Sequence, residues 1–138
     1  MPDVYRAIQK DNGAPKVCDL ADCLGVRTEG KYADIRPDHE ANVHPNAGGM
    51  SASIDDFKAI PNHRLPVGFG AGTSKRNCLW IIPSDQLPPR LFTRIHEPAS
   101  DGAVKALVEP METMSIVEYQ THLAASRDTW TEAPGGPG

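Results

Sequence analysis

Apolar positions in this chain fall in short runs separated by proline and glycine, and only near the C-terminus do they take up a helical rhythm. Asp3-Val4-Tyr5-Arg6-Ala7-Ile8 carries the β-branched and aromatic bias of a strand, stopped by the turn signal Asp11-Asn12-Gly13. Met50–Ser53 predicts a second strand, after which Ser53 or Asp55 is placed to cap a helical turn. Asn77-Cys78-Leu79-Trp80-Ile81-Ile82 is the most apolar run and predicts a buried central strand. Leu91–Ile95 and Val104–Val108 predict strands flanking a turn at Ser100-Asp101-Gly102, and these last three strands are expected to pair.

Between Lys16 and Pro45 the apolar pieces are brief, which predicts short strands and ordered loops, and the glycines of Gly68–Ser74 predict a mobile loop. One helix is predicted, from Ile116 to about Trp130. Ser115 with Glu118 matches a capping box, and Ile116, Tyr119, Leu123, Arg127 and Trp130 recur along one side. The whole reads as a β-rich α+β domain with few helices and one C-terminal helix. A single domain over residues 1–132 is expected, with 133–138, ending Pro134-Gly135-Gly136-Pro137-Gly138, as a disordered tail.

A length of 138 residues with 39% apolar content suits one core. The net charge of −4 and scattered Lys and Arg residues disfavour a nucleic-acid partner. No run approaches the roughly 20 apolar residues of a membrane span, and Met1-Pro2-Asp3-Val4 lacks the start of a signal peptide. A soluble protein made in the cytosol is expected, with its three cysteines reduced.

Three constellations bear on chemistry. Cys18, Cys23, His39 and His44 loosely imitate a zinc ligand set, although half-buried thiols and loop histidines explain them equally well, so no metal is expected. Ser51 or Ser53 can be paired on paper with His39, His44, His63 or His96 as a hydrolytic dyad, but no G-x-S-x-G motif supports it. The third set is Arg6 on an early strand, Ser51 and Ser53 on a middle strand and Glu109 on a late one. An arginine fork can hold a phosphate, hydroxyls can orient a ribose, and a carboxylate can stabilise the oxocarbenium-like centre formed as nicotinamide leaves NAD. Surface positions on ordinary strands would show the same residues.

Taken in order, Val4-Tyr5-Arg6-Ala7, Leu24-Gly25-Val26-Arg27, Asp34-Ile35, Gly49-Met50-Ser51-Ala52-Ser53, Leu65-Pro66, Leu79-Trp80-Ile81-Ile82, Leu87-Pro88, Val108-Glu109-Pro110 and Met114 form a longer pattern. Together with Tyr119, Arg127 and Trp130, it resembles the small ADP-ribosyltransferase-like toxins exemplified by a type VI secretion effector of Pseudomonas. The resemblance implies a split, twisted antiparallel β core with an NAD cleft. It also implies action in the cytoplasm of a target cell, reached without a signal peptide, and a cognate immunity protein that blocks the cleft.

Carried onto this chain, the resemblance implies NAD as substrate, bound by Tyr5, Arg6, Ser51 and Ser53. The catalytic set it implies is Glu109 with Ser51 and Ser53, and the acceptor is an unknown macromolecule. Leu107 stands where many such enzymes carry a second glutamate or glutamine, which counts against transfer to a protein side chain and leaves open hydrolysis of NAD, transfer to another kind of acceptor and a degenerate interaction domain with the same fold. His96-Glu97-Pro98 is a rival location for the acidic group.

Overall fold

Alternation along the N-terminal run builds strand β1 (Asp3–Asp11), with Val4 and Ile8 in one apolar cluster and Tyr5 and Ala7 in another. The computed structural model describes residues 2–98 and 102–134. A tight turn at Asn12 (φ 51°) and Gly13 (φ 78°) leads to β2 (Ala14–Pro15), as the sequence turn signal requires.

Further along the chain come β3 (Asn42–Val43), β4 (Met50–Ile54), β5 (Asn77–Pro83), β6 (Leu91–Pro98), β7 (Val104–Pro110) and β8 (Met114–Ser115). Helix α1 (Ile116–Ala125) and β9 (Thr131–Glu132) complete the order. All strand pairings are antiparallel, in the order β6-β7-β4-β1-β5-β9 with β2 attached to β1, while β3 and β8 form a separate two-stranded ribbon. The fold is therefore mostly antiparallel sheet with one C-terminal helix, as expected of an α+β chain.

Two expectations about the strands are corrected. β5 is buried but pairs with β1 and, over two residues, with β9, so it lies towards one side of the sheet and the centre is β1. β6 and β7 do pair, but β4 and β1 separate them from β5. Hydrophobicity reports burial, and both faces of β5 are covered; it does not report neighbours. Ser100 and Asp101 lie outside the described residues.

The sheet forks at its centre. β1 meets β4 only at Val4↔Ile54 and Tyr5↔Ser53, whereas it follows β5 for seven residues and β4 follows β7 for four. Past Tyr5 the two strands part, and the Lys16–Leu24 segment enters beside β1, with Gln9 N–H donating to Asp22 O at 2.9 Å.

One face packs α1 through Tyr119 and Leu123, together with Trp80 and Trp130; the other packs the 55–76 connection through Phe57, Ile60, Leu65 and Phe69. Ser115 caps α1 as predicted, its hydroxyl accepting from Glu118 N at 3.0 Å. The helix ends at Ala125, earlier than expected. Arg127 lies in a following 3₁₀ turn and donates to the Pro15 and Asp11 carbonyls, tying the C-terminal region to the first hairpin.

No helix forms after β4: Ser53 Oγ instead accepts from Ala59 N, and Asp55, at φ 64°, accepts from Asp3 N. The Gly68–Ser74 region is a set of turns pinned by Val67 N–H to Ser74 O and Ser74 N–H to Leu65 O, both 3.0 Å. Ala133 belongs to the fold, since its N–H donates to Leu79 O and its side chain joins the second cluster. Residues 135–138 of the expected tail lie outside the described residues. Among the described residues no helix is long and apolar enough to cross a membrane.

Candidate functional site

Where β1 and β4 part, the Arg6 side chain fills the gap. Its Nη1 donates to Ser51 O at 2.6 Å and Ser51 Oγ at 3.1 Å, its Nε to Cys23 O at 3.1 Å, and its Nη2 to Ala21 O at 2.9 Å and Cys23 O at 3.0 Å. These five contacts match the five N–H groups of a guanidinium, so every donor has a protein acceptor. Burial pulls the group down to about 10, with Asp34 opposing and Arg64 adding to the shift; it stays charged at neutral pH.

Two of the three carbonyls that hold Arg6, those of Ala21 and Cys23, come from a loop closed by a Cys18–Cys23 disulfide, which corrects the expectation of reduced thiols for these two cysteines, while Cys78 is free. Bridge pairing of Val17 with Leu24 brings the two Cα atoms to 5.3 Å, within disulfide reach. The same bond removes both thiolates from the zinc arrangement. His39 pairs with Glu40, and His44 lies between Asp38 and Thr113, at 2.7 and 2.8 Å, rather than beside Ser51 or Ser53. Among the described residues no cluster of ligand side chains suits a metal ion.

Beside Arg6 opens a cleft of about 410 Å³, the size of a small-molecule site. Its walls carry Arg6, Arg27, Arg64 and Lys105 against the single carboxylate of Asp34, with His96 and Tyr32 also lining it. Arg27 grips Asp34 through Nε at 3.2 Å and Nη2 at 3.0 Å, a fork that raises the guanidinium further and neutralises the carboxylate. Arg64 is half-buried, and burial together with the Arg27 charge lowers its pKa. A chain with net charge −4 thus contains a cationic hollow.

Local sequence explains the walls. Gly48 (φ 119°) and Gly49 let β4 approach closely, because a Cβ would lie 2.4 Å from Asp34 O at the first and 2.4 Å from Val108 O at the second. The register shift between Ile95 and Glu97 makes His96 the extra residue of a bulge, which aims it at the cleft. Ser53, fully buried, holds the Ala59–Pro61 wall through its bond from Ala59 N.

Of the sequence candidates, Arg6 and Ser51 meet at the cleft. Ser53 supports it from behind, and Tyr5 packs in the second apolar cluster, its phenol pKa raised by burial and by Asp3. Glu109 does not line the cleft: it is fully buried, Oε2 accepts from Arg94 Nε and Oε1 accepts from Asn46 N at 2.6 Å. Leu107, two residues before it, does line the cleft.

Arg64 and Lys105 were missed, whereas His96, named from sequence only as a partner for a serine and beside a rival acid, lines the same cleft as Ser51. Lys105 was legible in principle, since it alternates with Leu107 and Glu109 on one strand face; Arg64 and His96 depend on a long connection and a bulge. Compared with protein-family models the chain matches none, and no curated protein matches it either.

Proposed function

We propose that this chain is an NAD-binding domain of the ADP-ribosyltransferase toxin type, with the dinucleotide seated in the cleft at the fork of the sheet. The observation that carries the reading is the cleft itself: four cationic side chains and one neutralised carboxylate around about 410 Å³, one of the four being the strand-borne Arg6, hydrogen-bonded to the Ser51 hydroxyl. Cations suit the diphosphate, the Ser51 hydroxyl suits a ribose, and the exposed Tyr32 ring at the mouth offers a surface on which a nicotinamide or adenine ring can stack. As a toxin of this type it acts on NAD in the cytoplasm of a target cell, modifies a macromolecule or releases nicotinamide, and is restrained by an immunity protein.

A second reading, a binding domain that has lost the chemistry, is favoured by one observation. Glu109 is enclosed by Arg94 and Asn46, so cleavage requires its carboxylate to leave both partners.

Incubation of the purified protein and of a cell lysate with labelled NAD tests both readings. Release of nicotinamide or labelling of a macromolecule above a Glu109→Gln control supports the enzyme. NAD binding without either product leaves the degenerate domain, and absence of NAD binding rejects both.

A further inference from the structure

We infer that Arg64, assisted by Lys105, forms a diphosphate subsite in the cleft and that Arg6 supports this subsite without donating to the ligand. The argument rests on counting donors. Arg6 has an acceptor for each of its N–H groups, and two of those acceptors are backbone carbonyls of the disulfide loop. A ligand phosphate would have to displace them. Arg27 commits Nε and Nη2 to Asp34, so its charge, though not every donor, is already matched.

Arg64 and Lys105 line the same hollow, and their charged ends carry no hydrogen-bond or ion-pair partner among the described residues. Arg64 is also firmly placed: its N–H donates to Pro61 O at 2.9 Å and its carbonyl accepts from Asn77 Nδ2 at 2.9 Å. A planar fork held at fixed backbone positions, with the flexible ammonium of Lys105 on β7 lining the same hollow, suits a diphosphate bound there. A lone carboxylate would leave cationic charge unmatched, and the volume exceeds that of an inorganic ion, so the diphosphate belongs to a larger molecule. The inference rests on the NAD reading only for the identity of that molecule.

The test is calorimetric titration of the full chain with inorganic pyrophosphate, inorganic phosphate and NAD, at fixed low salt, on wild type, Arg64→Gln and Lys105→Gln. Loss of a charge-assisted fork predicts pyrophosphate and NAD each bound about tenfold or more weakly by Arg64→Gln, with a smaller loss in Lys105→Gln. Lys105 is exposed, so its variant reports on the subsite even where Arg64→Gln fails to fold.

NAD bound equally by wild type and variants overturns the subsite and leaves the NAD reading standing. Arg64-dependent pyrophosphate binding without NAD binding upholds the subsite and sinks that reading. Phosphate bound as tightly as pyrophosphate overturns the diphosphate assignment, and no binding of any of them overturns both.

Discussion

Arg6 donates from one nitrogen to both the carbonyl and the hydroxyl of Ser51, at 2.6 and 3.1 Å, across the gap where their strands stop pairing. The arginine therefore replaces the missing ladder and holds the fork at a set width. Replacing it by methionine leaves the Ala21, Cys23 and Ser51 carbonyls without their donor. Roughly 3 kcal/mol or more of stability should be lost, with lysine rescuing little because its three N–H groups radiate from one nitrogen and do not reproduce the planar spread of donors that the Ala21, Cys23 and Ser51 carbonyls surround. Urea unfolding midpoints at unchanged slope measure it.

Closure of the Cys18–Cys23 loop holds the Ala21 and Cys23 carbonyls that grip Arg6. Chain-entropy arithmetic for so short a loop gives about 2 kcal/mol. Reduction with a dithiol, or Cys18→Ser, should lower stability by about that amount and reduce the added effect of Arg6→Met. Such non-additivity in a double-mutant cycle is the expected sign that the two act together.

The Tyr119 hydroxyl accepts from Met50 N at 3.1 Å and donates to Val108 O at 2.5 Å, stitching helix α1 to the β4–β7 pair. Burial raises its pKa above the ordinary phenol value. Tyr119→Phe strands a buried donor and a buried acceptor, so a loss of about 1–3 kcal/mol is expected, read by thermal or urea unfolding.

Asp38 accepts from the His44 ring at 2.7 Å and from the Asn42 and Glu40 amides, which push its carboxyl down to about 2, the histidine bond contributing most. A carboxyl depressed in the folded state adds stability above its unfolded pKa and loses it as pH falls through the folded one. Stability should therefore fall between about pH 4 and pH 2. The Asp38→Asn protein should show a flatter stability–pH curve over that window, and an unchanged slope would remove Asp38 from the account.

Much of this architecture was legible in short sequence signals. Asn12-Gly13 specified its hairpin, Ser115 its cap, and Gly48-Gly49 with Ser51 marked the strand edge that borders the cleft. Pairing order was not legible, because β5 is apolar on both faces whichever strand lies beside it. The disulfide depended on a bridge between Val17 and Leu24 that no periodicity announces. The resemblance singled out Glu109 as a catalytic acid, yet its surroundings are set by Arg94 on the neighbouring strand, a contact that only the register of β6 against β7 creates.

The central claim is that the fork of the sheet holds NAD, and a crystal structure with a non-hydrolysable NAD analogue tests it most directly. The account predicts the analogue's diphosphate between Arg64 and Lys105, with Arg6 still bound to Ser51 and the disulfide loop. An analogue bound elsewhere on the molecule, or a cleft still empty at saturating analogue, would contradict it.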